Sequence, residues 1–467
     1  MDEGTRLVVV TVGLSVVMFV FLSSPLRAVM YVIAFQKLID IFWFISFNVG
    51  PIKLTIQRAV YTFLPIILIP ILFYEASRKK IVMKMPLLQA LIIAFIVYYA
   101  FASLRGFSYF QDYAIEWFLK IFSGLVMFSV GWFYFNEEKK YDDFAKLYTI
   151  LYLIPFLGII LQMTGVFTLA NIGIEQQTES QTGLERLTGA ESTTRYAGFY
   201  NDGGTNVMYT FTMIPMCLYF INTEEKPKIL YYAFLFIGLF CVVISFTRGM
   251  YLMTAGLLMA WWWINKNYRA MLLAFLGILA VGFGSEFLQN FFSDLFKSVE
   301  EGKLVGISGK AMRMEILIDS FWALDFAQKI FGMGITANFA AIGQVTGRGL
   351  DTTESDVYAY LYDLGLLGWG MYSAIMLTSL LICVRNIKQC ELRKYDKKIA
   401  LKYKVWFAMM ICAFITFTAS GSRWVSFTFP LWFLAGFVLK PPSYYKMQDE
   451  LKEKFVEINP RLTLQSS

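Results

Sequence analysis

The residues best suited to chemistry are arginines and carboxylates in two polar stretches that separate long apolar segments. The longer stretch, 287–356, ends in Gly347-Arg-Gly-Leu-Asp-Thr-Thr-Glu-Ser-Asp356 and runs directly into an apolar helix that begins near Val357. Loops carry function more often than the elements they join, and long ones are uncommon without a role. At a water–membrane boundary such residues can meet a lipid diphosphate or a sugar hydroxyl, so we expect the chemistry here.

Four arginines are candidates for holding a diphosphate. A planar guanidinium forms a bidentate fork and stabilises the charge that develops on a leaving group better than an ammonium does. Arg195 and Arg313 are the first candidates, and we expect their heads to lie within about 10 Å of each other in one cavity if they share a ligand. Arg248 and Arg348 are the second candidates, although Arg248 could cap a helix or bind lipid phosphate and Arg348 could be solvated.

Two carboxylates are candidates for orienting or deprotonating an attacking hydroxyl, namely Glu354 and Asp356. An N-terminal capping role for the helix that begins near Val357 competes with this interpretation. Asn201 is a further substrate-binding candidate, with a turn before the next helix as the alternative. Tyr358 could stack on a sugar ring or belong to an interfacial aromatic belt.

Composition sets the class of the protein. With 57% hydrophobic, 18% aromatic and 16% charged residues, the chain is too apolar for a soluble domain. In lipid such segments form helices, because a helix satisfies its backbone hydrogen bonds within itself. We therefore predict one polytopic domain, 1–467, that is an all-α integral membrane bundle of 12–13 spans. The predicted spans are 7–24, 59–75, 86–104, 114–135, 148–168, 206–222, 229–246, 250–265, 270–286, 357–384, 405–420 and 425–440.

The segment 28–48 is the ambiguous thirteenth span. It is long and aromatic enough to cross, but Gln36, Lys37 and Asp40 lie inside it, and charges at membrane depth are costly. If it crosses, these side chains are expected to make polar contacts inside the bundle. The N-terminus is then outside, and otherwise it is inside.

Basic residues orient the spans. The stretch Arg385–Lys404 holds eight lysines and arginines against two acids, so we place it in the cytoplasm together with 78–84, 136–146, 223–228, 266–269 and the tail 441–467. Two long loops, 169–205 and 287–356, then face outward together. In the second loop we predict a helix over Ala311–Lys329, closed by Phe331-Gly-Met-Gly334. Because topology accounts for the net charge of +7, we expect no nucleic-acid partner.

The sequence contains no histidine, so no imidazole is present to serve as a general acid or base. There is no P-loop, no zinc spacing and no Asp-x-Asp pair, and we expect neither metal nor cofactor. The cysteines lie in predicted spans or in the basic stretch, which leaves none for an outward disulfide. They are Cys217, Cys241, Cys383, Cys390 and Cys412.

Three segments resemble the O-antigen polymerase and ligase superfamily. The first is Arg195-Tyr-Ala-Gly-Phe-Tyr-Asn-Asp202, similar to the family's Arg-x-x-Gly-Phe before an Asn-containing turn. The second is Ile244-Ser-Phe-Thr-Arg-Gly-Met-Tyr-Leu252, similar to its Ser-Arg-Gly turn between spans. The third runs from Arg313-Met-Glu-Ile316 through Gly332-Met-Gly-Ile335 to the helix of Leu364-Gly-Leu-Leu-Gly368.

The resemblance implies a glycosyltransferase of the bacterial inner membrane, active at its periplasmic face. It would join undecaprenyl-diphosphate-linked oligosaccharide repeats into a surface polysaccharide, with a chain-length co-polymerase and membrane lipids as partners. The ligase branch has a histidine about eleven residues before the glycine of the last motif, where this chain has Glu354. The chain therefore resembles the polymerase branch. A transporter or flippase, or a glycan ligase, is the alternative.

Overall fold

The computed structural model describes residues 24–49, 52–55, 60–61, 68–70, 72, 74, 77, 86–168, 179–180, 193–194, 196–200, 203–223, 228–245, 248–273, 309–346, 356–419 and 425–447. Helices dominate this part of the chain and are numbered in order. They are α1 (Pro25–Ala34), α2 (Gln36–Ile39), α3 (Pro86–Tyr134), α4 (Glu138–Ile150), α5 (Leu153–Met163), α6 (Gly203–Thr223), α7 (Lys228–Ile244), α8 (Arg248–Ile264), α9 (Gly309–Ala323), α10 (Phe326–Phe331), α11 (Ala337–Thr346), α12 (Asp356–Arg393), α13 (Lys397–Ala419) and α14 (Val425–Val438).

Short strands accompany the helices. The strands β1 (Ser46–Val49) and β2 (Ile52–Thr55) form an antiparallel hairpin in which Val49 faces Ile52. The strands β3 (Glu179–Ser180) and β4 (Thr193–Thr194) pair within the first predicted outward loop. These pairs are too short to alter the class, which is helical as predicted.

Among the described residues, five helical segments are long and apolar enough to cross a membrane, so the chain is a membrane protein. They are Leu87–Phe110, Tyr113–Tyr134, Glu138–Met163, Val357–Arg393 and Lys397–Phe417. The helix α3 supplies two of them, because its backbone breaks at Phe110 with φ −143° and ψ 90°. The rings of Tyr99 and Phe118 stack with centroids 6.1 Å apart, which shows that the chain doubles back after the break.

The helix α6 forms the centre of the bundle. It packs against α4, α7, α8, α13 and α14. Most of its described side chains are buried, including the polar groups of Asn206, Thr210 and Thr212. A helix shielded from lipid by its neighbours can carry polar side chains, because other helices supply hydrogen-bond partners. This explains why α6 is less apolar than the five segments above.

The ambiguous segment 28–48 is a broken helix rather than a continuous span. The helix α1 ends at Ala34, α2 covers four residues, a 3-10 turn spans Asp40–Phe44, and β1 follows. Arg27 lies close enough to Tyr134, at the end of α3, for an electrostatic interaction, while the indole of Trp43 donates to the carbonyl of Phe199 at 3.3 Å. The segment therefore runs from one end of the bundle towards the other despite its breaks.

Ionic contacts join several of the stretches predicted to share the cytoplasmic side. The Lys402 ammonium lies 2.7 Å from Glu138 and 3.0 Å from Asp142, and Lys266 lies 3.3 Å from Glu391. These pairs connect 136–146 and 266–269 with the basic stretch 385–404. The structure thus places the three stretches at one end of the bundle.

The basic stretch itself is mostly helical, which corrects the predicted spans 357–384 and 405–420, between which it was expected to be the connection. The helix α12 continues to Arg393 and α13 begins at Lys397, so the connection is 394–396. Lysines and arginines extend these helices beyond the apolar core because their charged heads prefer water while their stems cover apolar surface. The predicted helix Ala311–Lys329 is also corrected. It is two helices, α9 and α10, because Asp325 caps α10 and interrupts the run.

Candidate functional site

At the other end of the bundle, two glycines bring the predicted outward loop into backbone contact with α12. Gly332 ends α10 with φ 69°, and Gly365 breaks α12 with φ 66°. A Cβ at either glycine would collide with the backbone of the other segment. The amides of Met333 and Gly334 donate to the carbonyls of Tyr362 and Asp363 at 3.0 and 2.9 Å. Only glycine fits such a crossing with positive φ.

The helix α3 completes this crossing. The Tyr98 hydroxyl lies 2.7 Å from the carbonyl oxygen of Phe331 and 2.6 Å from that of Leu364, so its single proton can be donated to either one. The Arg105 guanidinium donates to the carbonyl of Gly332 at 2.9 Å and also to that of Phe331. The carbonyls of Phe331, Gly332 and Leu364, which lie at the helix breaks, thereby have side-chain donors within reach.

A buried carboxylate, Asp363, holds the start of α11. It accepts the amide N–H groups of Thr336, at 3.0 Å, and Asn338, at 2.8 Å, and the Asn338 side-chain amide at 2.6 Å. Thr336 has φ 77°, a conformation that a β-branched residue adopts only where its surroundings impose it. The carboxylate occupied by these donors serves the fold, and we assign it no proton-transfer role.

A small cavity of about 10 Å³ lies beside this carboxylate. It is lined by Tyr99, Trp117, Ile335, Thr336, Asn338, Phe339, Tyr360, Asp363 and Leu364. The carbonyl oxygen of the buried Asn338 side chain has no hydrogen-bond partner among the described residues. The volume suffices for about one water-sized group, such as a hydroxyl.

Arg313 lies on α9, whose apolar face packs on the first turns of α12. Leu317 and Phe321 of α9 form a small core with Tyr362, and Tyr358 packs against its edge. The Arg313 side chain is half-buried. The structure therefore brings together α9, with Arg313, the glycine crossing and the beginning of α12, which are the three parts of the third segment identified from the sequence.

Some of the other candidate residues lie within the described part of the chain, and some lie outside it. Arg248 is the first residue of α8 and Asp356 the first of α12, so both stand at helix N-termini. Arg195, Asn201, Arg348 and Glu354 lie outside the described residues, and the expected approach of Arg195 to Arg313 stays a prediction. Tyr358 is half-buried against the small core, whereas Tyr360 is buried against Tyr372 and Phe417.

The residues that follow Arg195 dock deep in the bundle. Gly198, with φ 63°, packs against Gly158 of α5, and its amide donates to the Gln162 side chain at 2.7 Å. The Tyr200 hydroxyl donates to the carbonyl of Lys37 at 2.9 Å. The first segment identified from the sequence thus borders the broken helix that carries Lys37 and Asp40.

Lys37 and Asp40 form a buried polar cluster, as expected for a crossing segment. The Asp40 carboxylate accepts the hydroxyls of Tyr61 and Tyr209. The Lys37 ammonium lies 3.0 Å from the centroid of the Tyr148 ring and is attracted by Asp40. Both side chains are buried. A charge at membrane depth is stabilised by such an opposite charge and by aromatic faces.

Sequence reasoning did not single out Asp363, Asn338 or Arg105. One signal was present, because Asp363 is an acid within an apolar segment directly before Leu364-Gly365. A charge inside a span indicates a partner. Nothing in the sequence indicated that the partner is the start of α11, because that contact depends on how the outward loop folds back.

Neither a family model nor a curated protein sequence matches this chain.

Proposed function

We propose that the chain is a membrane glycosyltransferase that polymerises polyprenyl-diphosphate-linked oligosaccharide repeats into a bacterial surface polysaccharide. The observation that carries the proposal is the docking of α9 on α12 through the Gly332–Gly365 crossing. It draws the parts of the third family-like segment into one place, although they are spread over residues 313–368 of the sequence. A transferase site requires such convergence because its groups must meet one substrate.

The proposed roles follow from charge. Arg313, with Arg195, neutralises the diphosphate that leaves as the new glycosidic bond forms. Glu354 or Asp356 orients or deprotonates the attacking sugar hydroxyl of the second lipid-linked chain. The bond to the diphosphate carrier supplies the driving force, so the reaction needs no nucleotide. Arg248 and Arg348, Asn201 and Tyr358 are proposed contacts to the rest of the substrate.

The position of the site agrees with this chemistry. Lys402 and Lys266 mark the end of the bundle proposed to be cytoplasmic. The glycine crossing lies beside residues 98–106 of the first half of α3, towards the opposite end. That end is proposed to face the periplasm of a bacterial inner membrane, where lipid-linked repeats are available as donor and acceptor.

A transporter or flippase is the second candidate, and one observation favours it. Ionisable residues deep within a bundle are typical of transport pathways, and Lys37 and Asp40 are buried there. Against it, the Asp40 carboxylate accepts the hydroxyls of Tyr61 and Tyr209, and the Lys37 ammonium lies over the Tyr148 ring, which are contacts that a structural role requires. A glycan ligase remains a third candidate, without the histidine that its branch of the superfamily uses.

Analysis of surface polysaccharide from a deletion strain tests the proposal. Loss of the ladder of long chains, with single-repeat material still attached at the surface, is the expected result for a polymerase. Loss of single-repeat material as well would indicate a flippase or a ligase. An unchanged ladder would contradict the glycan function altogether. Restoration of the ladder by the wild-type gene is the control.

A further inference from the structure

Large aromatic side chains are exposed over residues 322–331, between the end of α9 and the end of α10. Trp322 is 68% exposed, Phe326 81% and Phe331 48%. Isolated apolar side chains are common on protein surfaces, but three large aromatics within so short a segment indicate a surface that something else covers.

The neighbouring lipid-facing surface indicates what covers them. The carbonyl of Phe331 is held by Tyr98 and Arg105 of α3, within the membrane-crossing segment Leu87–Phe110. Phe101 and Leu104 of that same segment are exposed, as side chains that face lipid are. The end of α10 therefore adjoins a surface that already contacts the hydrocarbon.

The charges in this segment fit the boundary of a bilayer. The Lys329 ammonium lies 5.6 Å from the centroid of the Trp322 ring. Tryptophan and lysine together are characteristic of the headgroup region, where the ring is half in lipid and the cation meets phosphate. The Asp325 carboxylate accepts the Gln328 amide at 2.8 Å in a capping box, so its charge is engaged within the helix.

Acidic side chains limit how far the contact extends. Glu315 and Asp319 are exposed on α9, on the same helical face as Trp322 but one to two turns earlier. Carboxylates favour water over an anionic headgroup layer. The helix α9 must therefore approach the bilayer with its C-terminal end and keep its first turns in water.

We propose that residues 322–331 anchor the loop in the lipid leaflet at this end of the bundle. Trp322, Phe326 and Phe331 enter the boundary between headgroups and acyl chains, and Lys329 binds lipid phosphate. The anchor positions α9, and with it Arg313, at the level of the headgroups. It requires only a membrane as partner and is independent of the proposed enzymatic function.

Site-specific fluorescence quenching tests the anchor. The protein with Phe326→Cys is labelled with an environment-sensitive maleimide dye and reconstituted into phosphatidylcholine nanodiscs with brominated acyl chains. Its own cysteines are all buried and give little background. The matched control is Glu315→Cys, another exposed position of the same loop. We expect bromolipid to quench the dye at 326 several-fold more than at 315, and aqueous iodide to show the reverse order.

Two results would overturn the proposal. Quenching at 326 by iodide and not by bromolipid would mean that the segment faces water. Protection from both quenchers would mean that protein, such as a second copy of the chain, covers the aromatics. Trp322→Cys provides a second labelled position, so that poor folding of one variant leaves the question answerable.

Discussion

At the scale of single residues, the described polar side chains of the bundle interior mostly hold backbone and helix ends. Asp363 receives amides from the start of α11, Arg105 and Tyr98 satisfy carbonyls at a helix break, and Lys37 and Asp40 attract each other. Arg313 differs because its side chain is half-buried on α9, at the end of the bundle that holds the glycine crossing. Substitutions should therefore separate residues that hold the fold from residues that act on a substrate.

Arg313→Gln should lower polymer formation by about 10²-fold or more, because it removes a donor to a developing diphosphate charge. Arg313→Lys should retain part of the activity, since it keeps the charge and loses the fork. The measurement is the intensity of the polysaccharide ladder, normalised to protein in the membrane. Arg393→Gln, at the opposite end of α12, is the control. A full ladder from Arg313→Gln would remove this residue from the mechanism.

Glu354→Gln should keep expression and lower polymerisation by roughly 10²-fold or more if the carboxylate orients or deprotonates the acceptor hydroxyl. If it only caps α12, the change should cost about 1 kcal/mol and leave the chain-length distribution almost unaltered. Asp356→Asn is the paired variant. Loss of activity in Asp356→Asn alone would assign the role to that residue, and full activity in both would exclude a carboxylate mechanism.

The buried pair Lys37 and Asp40 should show strong coupling in thermal unfolding of the purified protein. Lys37→Met and Asp40→Asn should each destabilise by about 3 kcal/mol, because each leaves one buried charge without its partner. The double variant should be less destabilised than the sum of the two singles. Additive effects would show that the two charges do not interact in the native protein.

At the scale of elements, the breaks in helices are the informative features. The helix α12 is interrupted at Gly365 because the end of α10 crosses it backbone to backbone. The helix α3 is interrupted at Phe110 where the chain reverses. At the α12 break, Tyr98 and Arg105 supply donors for the carbonyls of Leu364 and Gly332, so this break is stable only together with its partner elements.

Gly365→Ala should detach α10 from α12, since the added methyl group meets the backbone of Ile330 and Gly332 and the positive φ is unfavourable to alanine. We expect faster hydrogen exchange in 326–340, lower thermal stability and loss of activity. Gly370→Ala is the matched control on the same helix, because no atom lies near its added methyl group. Equal exchange rates in the two variants would contradict the proposed role of Gly365 in holding α10 against α12.

At the scale of the whole molecule, charge is distributed between the two ends of the bundle. Lysines that pair with Glu138, Asp142 and Glu391 gather at one end. The glycine crossing and the end of α10 contact Tyr98, Ala102 and Arg105 of α3, towards the opposite end. The positive-inside rule predicts that the basic end of such a bundle lies in the cytoplasm.

Cysteine labelling checks this orientation. Glu315→Cys should react with a membrane-impermeant maleimide applied to spheroplasts, while Lys394→Cys should react only after permeabilisation. Both positions are exposed, and the native cysteines are buried, so the contrast reports the side of the membrane. Labelling of position 394 in intact spheroplasts would reverse the topology and move the proposed site to the cytoplasm.

The sequence alone determined the membrane class, most of the described helices, the shared end of the stretches 136–146, 266–269 and 385–404, and the helix end at Gly332, whereas the break of α12 at Gly365 lies inside the span predicted over 357–384. These follow from local properties, because apolar length fixes a span and glycine marks a backbone that needs positive φ. The breaks at Asp325 and within 28–48, the full extent of α12, and the contacts of Asp363 followed only from the tertiary structure. Each depends on a partner distant in the chain, such as Thr336 for Asp363 or Tyr209 for Asp40. Local pattern shows that a buried charge requires a partner, and packing decides which partner it receives.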